Sequence, residues 1–311
     1  MLRYDKYFIP KDLNEYFNLT EDIKDYRIVA GCTDTLPWAR EGRAGDIYFK
    51  NIIDVSKIDD LNKFIIKKDK VILGSAITFQ KLFLDNDIRQ NIKILPQVAV
   101  WFADDQIREQ ATIGGNIVNA SPAADGTPAF LTLNCNVNIV GRNNKENYQR
   151  NIKLEKFILG RNKVDLKNNE IISHFELDNI IDYCCSFEKV GHRRSLVIST
   201  VCVSCIIKIA DDKKTFSDVR LAVGGVSEIP KRLLNTENFL IGKLINEENI
   251  SKASIIDLDV INSRSRLEYR KEVLKNFIIR SIINSLKKSK ISLKDNIINN
   301  FYLDKKESIY A

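Results

Sequence analysis

The chain has 311 residues, 44% of them hydrophobic, and 48 basic against 41 acidic side chains give a net charge of +7. This is enough apolar material for one large or two ordinary domains. There is no apolar run of about 18 residues, and the opening MLRYDKYFIP carries charges where a secretory leader needs an apolar core, so a soluble cytoplasmic protein with no membrane partner is expected. The basic excess is small and spread out, and segments such as KKSKISLK (287–294) have no interleaved aromatics for base stacking, so nucleic acid is not an expected partner.

Taken in chain order, residues 1–55 read as a small α/β lobe: a helix around DLNEYF, a buried strand at 26–30, a loop at 31–36 and the strand-like DIYFKNIID. A second lobe, 56–174, follows. VILGSAIT (71–78) alternates as a strand, FQKLFLDNDI has helical spacing, and ILPQVAVWFADDQIREQ (94–110) reads as one helix. PAFLTLNC is helical in pattern and NVNIVG is a strand. From 175 the runs lengthen: ELDNIIDYCCSFEKVG, SLVISTVCVSCIIKIA and FSDVRLAVGGVS predict a three-stranded antiparallel sheet, and NEENISKASIIDL and SRLEYRKEVLKNFIIRSIINSLKK predict helices. The fold class is α+β, with domains at 1–174 and 175–290 and a polar tail at 291–311 that reads as a docking segment or a frayed end. There are no internal repeats.

The most informative run is ATIGGNIVNASPAAD (111–125). Gly114 and Gly115 can leave main-chain N–H groups uncovered for a large anionic ligand. Thr112, Asn116, Asn119 and Ser121 add short donors, and Asp125 adds an acceptor suited to a sugar hydroxyl or ring N–H. A tight turn followed by a capped helix explains the same residues. Upstream, after Ile28-Val29-Ala30, the passage Gly31-Cys32-Thr33-Asp34-Thr35-Leu36 offers a second strand-to-loop turn with small and hydroxyl side chains. Two such loops could hold a pyrophosphate from both sides. Neither is GxGxxG nor GxxxxGK[ST], which points away from a Rossmann domain or a phosphate loop.

These residues carry a resemblance. VAGCTDTL (29–36), ATIGGNIVNASPAAD and GGVSEIPKR (224–232), with WFADDQI (101–107) and FEKVGHRRS (187–195), resemble the FAD-binding medium subunit of the molybdenum hydroxylases, the xanthine dehydrogenase and carbon monoxide dehydrogenase family. The resemblance covers roughly residues 1–290. It implies a two-lobed FAD-binding domain of the vanillyl-alcohol oxidase/MurB-like type followed by an α+β domain. It also implies a heteromeric complex: a large subunit holding the molybdenum cofactor, a small subunit holding [2Fe-2S] clusters, and an FAD here that collects electrons and passes them to NAD+ or another acceptor.

By the same resemblance, the backbone of Val29, Ala30, Gly31, Cys32, Thr33, Asp34, Thr35 and Leu36 cradles the FAD pyrophosphate, with Ala111, Thr112, Gly114, Gly115, Asn116 and Val118 on the other side. Phe102 matches an aromatic against the isoalloxazine ring, and Ile172 an aliphatic near it. Ser121 and Asp125 match a hydroxyl and an acid near the ribityl and ribose region, and Lys189 a cation near the flavin. Plainer readings stand beside these: Trp101 and Phe102 as helix core, Ser121 before Pro122 as a helix cap, and Lys189 as an ordinary solvated lysine.

The six cysteines and two histidines do not suggest metal sites. Cys202 and Cys205 lie in a strand pattern, where an i,i+3 pair points to opposite faces, and no four cysteines have iron–sulfur spacing. Cys32 is expected to be structural. His174 and His192 have no ligand spacing, and no GxSxG supports a hydrolase. No catalytic residue is assigned. Two alternatives remain open at this level, a self-sufficient FAD-dependent oxidoreductase and a scaffold subunit that has lost flavin.

Overall fold

The computed structural model describes residues 2–41, 48–193, 197–262 and 265–289. The expected tail at 291–311 and Arg194–Ser195 of the 187–195 motif lie outside the described residues. None of the described helices is long and apolar enough to cross a membrane.

The first lobe is built on a three-stranded parallel sheet. Its elements are β1 (Arg3–Phe8), α1 (Leu13–Asp22), β2 (Tyr26–Val29), α2 (Thr35–Glu41) and β3 (Tyr48–Asp54), with the strands ordered β1-β3-β2. Asp12 caps α1 by accepting from Glu15 N at 2.8 Å, and Tyr16 and Phe17 bury that helix against Ile53. Strand β1 escapes the sequence reading because it is exposed on both faces and its aromatic and charged residues do not alternate. The segment 31–36 is not all loop: Thr35 and Leu36 form the first turn of α2, with Leu36 N donating to Cys32 O.

The second lobe runs through β4 (Phe64–Ile66), β5 (Lys70–Gly74), α3 (Phe79–Leu84), α4 (Asn86–Asn91), α5 (Ile94–Trp101), α6 (Asp105–Gln110), α7 (Ile113–Asn119) and α8 (Gly126–Thr132). It continues with β6 (Asn136–Asn143), β7 (Glu146–Lys153), α9 (Leu154–Phe157), β8 (Ile158–Gly160), β9 (Lys163–Val164) and β10 (Glu170–Asp178). An antiparallel sheet ordered β4-β5-β10-β6-β7 carries the helices on its apolar face. The expected strand to Thr78 stops at Gly74, because Thr78 is the N-cap of α3. The single helix expected over 94–110 is two helices. It breaks because Ala103 takes a left-handed φ of 47° and Asp104 caps α6 by accepting from Ile107 N at 2.9 Å.

The expected domain boundary after residue 174 falls inside β10, which runs unbroken to Asp178 as a central strand of this sheet. ELDNIIDYCCSFEKVG is accordingly two pieces, the end of β10 and β11 (Cys184–Val190). The C-terminal sheet has four strands rather than three: β11, β12 (Val201–Ile209), β13 (Phe216–Gly224) and the short edge β14 (Lys231–Arg232). Helices α10 (Leu234–Leu240), α11 (Glu247–Ala253) and α12 (Leu267–Lys287) complete it.

Strand β12 is apolar almost throughout because both its faces are covered. Val203, Cys205 and Ile207 join the core beneath α12, and Cys202 and Ile206 join the core of the second lobe, where α8 packs on the sheet. Cys202 and Cys205 therefore point to opposite faces, and no group of three or more metal-ligating side chains occurs among the described residues. Polar contacts reinforce the junction. Arg220 of β13 donates to Asp178 at the end of β10 at 2.7 Å, and Asp178 also accepts from Lys70 at 2.8 Å and Asn134 at 2.7 Å.

Candidate functional site

The two short-side-chain motifs meet. Gly31 follows β2 and lies so close to the residue before the second motif that a Cβ there would stand 1.8 Å from Gln110 O. Asn119 Nδ2, at the end of α7, donates to Asp34 Oδ2 at 2.7 Å. Asn162 holds that end of α7 in turn, its N–H reaching Ala120 O at 3.1 Å and its Nδ2 reaching Asn119 O at 2.8 Å. Between these fixed points the turn after β2 is open. Among the described residues, the main-chain N–H groups of Cys32, Thr33 and Asp34 have no protein acceptor. Cys32 has a φ of 55°, in the left-handed region that favours glycine over a residue with a Cβ.

The α7 side differs from expectation in one respect. The N–H groups of Gly114 and Gly115 are not uncovered: Gly114 donates to Ser75 O at 2.8 Å, and Gly115 donates to the N-cap hydroxyl Thr112 Oγ1 at 3.0 Å. A capped helix start satisfies its own amides, so the two glycines serve closeness rather than donation. Gly114 lets α7 sit on the second lobe, where a Cβ would be 2.6 Å from Ser75 O. Gly115 is exposed, and an added Cβ there would meet only Thr112 Oγ1, at 3.0 Å. Its bare Cα surface therefore faces the solvent.

Asn116 carries a buried side-chain oxygen with no hydrogen-bond partner, and a Cβ on Gly126 would stand 2.7 Å from it. Leu36 and Val118, one on each motif, are apolar and exposed (41% and 37%). Val29 and Ala111 are buried and fix the strand end and the helix entry behind them. Ser121 does not cap a helix; its hydroxyl accepts from Ala123 N at 3.3 Å in a local turn, and α8 begins only at Gly126.

A second group lies where α8 meets the C-terminal sheet. Asp125, just before α8, and Lys189, on β11, form a buried ion pair at 2.6 Å. Lys189 Nζ also donates to Trp101 O at 2.9 Å, and Ser199 Oγ donates to Asp125 Oδ1 at 2.5 Å. Burial pushes the Asp125 carboxyl above the ordinary carboxylate range, and Lys189 and Ser199 oppose that rise. Lys189 is thus not the solvated lysine of the plain reading. Ser199 was not singled out from sequence, and nothing local marks it, since it is brought to Asp125 only by the sheet.

The turn at 101–104 is gripped on both sides. Lys189 holds Trp101 O, and Arg108 NH1 donates to Phe102 O at 3.0 Å while its Nε donates to Gln80 Oε1 at 3.0 Å. Phe102 stacks on Phe79, centroids 3.8 Å apart and planes 4° apart, so a ligand ring could meet only its opposite face. Ile172 is 3% exposed, inside the core, and its carbonyl accepts from Ser75 Oγ at 2.6 Å; the structure does not bring its side chain to the open surface.

Residues 2–177 match the family described as the FAD binding domain in molybdopterin dehydrogenase, and residues 186–285 match the CO dehydrogenase flavoprotein C-terminal domain. The chain is 27% identical over 292 residues to xanthine dehydrogenase 1 of Arabidopsis thaliana, covering 88% of this chain but 21% of that one. It spans about a fifth of the length of such plant relatives. Against the xanthine dehydrogenase FAD-binding subunit of Escherichia coli O157:H7 it is 27% identical over 275 residues, covering 88% of this chain and 91% of that subunit. The fold is that of a chain in a carbon monoxide dehydrogenase from Hydrogenophaga pseudoflava, with a TM-score of 0.82, 20% identity, and coverage of 92% of this chain and 99% of that one. With more than half of its residues matched, in the lobes that bring the two motifs together, the chain belongs to the family of FAD-binding domains of molybdopterin dehydrogenases.

Proposed function

We propose that this chain is the flavin-bearing subunit of a molybdenum hydroxylase, with FAD held across the junction of the turn at 29–36 and helix α7. The observation that carries this reading is the fixed juxtaposition of the two motifs, Gly31 against Gln110 and Asn119 on Asp34, around an exposed glycine and three main-chain amides without a protein acceptor. Amides of that kind suit a pyrophosphate, and the hydroxyls of Thr33, Thr35, Thr112 and Ser121 with the amide of Asn116 add short donors. The unpartnered Asn116 oxygen supports a ligand that completes its bonding.

On this reading Val29, Ala30, Gly31, Cys32, Thr33, Asp34, Thr35 and Leu36 wrap one side of the cofactor, and Ala111, Thr112, Gly114, Gly115, Asn116 and Val118 the other. Gly114 and Gly115 contribute by close approach rather than through their N–H groups. Phe102 offers its free face to the ring system, Ile172 packs beneath, and Ser121, Asp125 and Lys189 lie toward the sugar and the flavin. Bound FAD can take up electrons singly and give them up as a pair. The chain's own residues position it, exclude water from one ring face and, through Lys189, keep a fixed cation nearby.

The partner chains on this reading are a molybdenum-binding large subunit and an iron–sulfur small subunit, with NAD+ or another acceptor at the exposed side of the flavin. Co-expression with the two partner chains provides the test: the complex should bleach its flavin absorbance when given the partner's substrate, and the isolated chain should not. A complex whose flavin stays oxidised while its iron–sulfur absorbance bleaches would overturn the proposed electron route.

A further inference from the structure

The β8–β9 hairpin ends on helix α7. Gly160 pairs with Lys163 across a turn made of Arg161 and Asn162. Asn162 takes a φ of 54°, in the left-handed region that asparagine tolerates better than most residues with a Cβ. This tip grips the end of α7: Asn162 N–H donates to Ala120 O at 3.1 Å, and its Nδ2 donates to Asn119 O at 2.8 Å and lies 3.3 Å from Asn119 Oδ1. The last carbonyls of a helix have no partner within the helix, and here the hairpin supplies donors for them. The same contacts settle the orientation of the Asn119 amide. Its oxygen faces a donor, Asn162 Nδ2, so its nitrogen is turned to Asp34, whose carboxylate accepts at 2.7 Å.

The hairpin is itself held at its base. Asp165 N–H donates to Phe157 O at 2.8 Å, and Arg150 of β7 bonds both to Asp165 at 3.0 Å and to Glu170 at 2.7 Å. Glu170 is fully buried at the start of β10 and also accepts from Tyr148 Oη at 3.0 Å and Lys167 N at 2.8 Å. The base is thus fixed to the second-lobe sheet, while Asn162 at the tip is exposed. Hydrogen bonds run from that sheet through Asn162 and Asn119 to Asp34 in the first lobe. Among the described residues, Asn119–Asp34 is the one side-chain hydrogen bond between the turn at 31–36 and α7. An exposed hairpin tip adds little to global stability, so the bonds of Asn162 matter for what they position.

We propose that Asn162 is a positioning residue for the cofactor. Through the Asn119 amide it sets the spacing between helix α7 and the turn whose N–H groups at Cys32, Thr33 and Asp34 have no protein acceptor among the described residues. The proposal rests on the flavin reading above, because that spacing matters only to a ligand held between the two. Asn162 itself needs no contact with the ligand. Without its Nδ2 the Asn119 amide is free to turn, and a turned amide presents its oxygen to the Asp34 carboxylate, which drives the turn away from α7.

The test follows FAD release from the loaded chain by the rise in flavin fluorescence on dilution, beside the urea midpoint of the flavin-free chain. Asn162→Gly suits the left-handed backbone and keeps the main-chain bond to Ala120, but removes the amide. It should release FAD about three- to tenfold faster, the range for losing one ordinary hydrogen bond, and leave the urea midpoint unchanged. Asn162→Asp, which sets a carboxylate against the Asn119 oxygens, should release FAD faster still, in high salt as in low, because contact at that range is little screened. Leu159→Ala, exposed on the same hairpin, should release FAD at the unaltered rate. Asn119→Ala should also speed release, and adding Asn162→Gly to it should change the rate little further, since both act through one amide. Unaltered release from Asn162→Gly, a faster release matched by a fall in urea midpoint, an equal effect of Leu159→Ala, or multiplicative effects of Asn162→Gly and Asn119→Ala would overturn the proposal. A native chain that takes up no FAD would sink the flavin reading and this proposal with it. A native chain that binds FAD, and holds it as well after Asn162→Gly, would sink this proposal alone.

Discussion

Gly115→Val separates the fold from the cofactor. Gly115 sits in the first turn of α7, exposed, and a Cβ there meets only the Thr112 hydroxyl at 3.0 Å. The substitution should therefore cost the fold no more than about 1 kcal/mol, the worth of the Thr112 cap if that hydroxyl is displaced. Its effect on a ligand is larger. A phosphate oxygen resting on the bare Cα must move away to keep about 3.5 Å from a new methyl carbon, and hydrogen bonds to the amides at 32–34 stretch beyond about 3.2 Å. Losing two charge-assisted bonds amounts to at least about 3 kcal/mol, a hundredfold or more in affinity. The assay pairs a urea melt with the flavin absorbance of the purified protein, and Gly31→Ala is the contrast. There the new Cβ stands 1.8 Å from Gln110 O, so the main chain must move and the urea midpoint should fall sharply. A folded Gly115→Val protein that keeps full flavin would refute the placement of the cofactor against α7.

Lys189→Met leaves Asp125 buried without its cation and should destabilise the protein by about 3–5 kcal/mol, while Lys189→Met with Asp125→Leu should recover much of that; additive losses in a double-mutant cycle would show that the pair is not coupled. Asp178 is affected first by burial, which raises its carboxyl, but its bonds with Lys70 and Asn134 and the nearby Arg220 hold it below its ordinary value of 3.8. Its stabilisation is therefore present above that value and lost as pH falls through the lowered folded value, so Asp178→Asn should flatten the acid limb of stability against pH, measured by urea midpoints below pH ~4. An unchanged acid limb would show that the Asp178 junction does not titrate with folding. Cys202→Ala and Cys205→Ala lie in separate cores, so their effects on stability should add within about 0.5 kcal/mol, and a chelator should leave the thermal midpoint in place; strong coupling or chelator sensitivity would point to a shared metal.

How much of this was legible in the sequence follows from the range of the interactions. The motifs at 29–36 and 111–125 were readable because small residues clustered in sequence also cluster in space. Their tight seam, Gly31 on Gln110 and Asn119 on Asp34, needs a fold to bring together residues about eighty positions apart. Helix α7 was half-read: a capped helix stood as one of two readings of these residues without Thr112 being named as its cap, and that capped start consumes the amides that glycine seemed to leave open. The break at Phe102–Asp104 had a local signal, an aspartate able to cap a new helix, that the continuous apolar pattern of 94–101 outweighed. Strands β1 and β7 were invisible because almost every residue of each is at least partly exposed, so neither carries a buried face that alternates. The buried pair of Asp125 and Lys189, 64 residues apart, had no sequence signal beyond the family resemblance.

The central claim is that this fold binds FAD between its two lobes. The most direct measurement is the absorption spectrum of the purified chain, with the released cofactor identified by mass and counted against protein. The account predicts flavin bands and close to one FAD per chain, retained on gel filtration. A folded chain that carries no flavin and takes up none when incubated with FAD would contradict it.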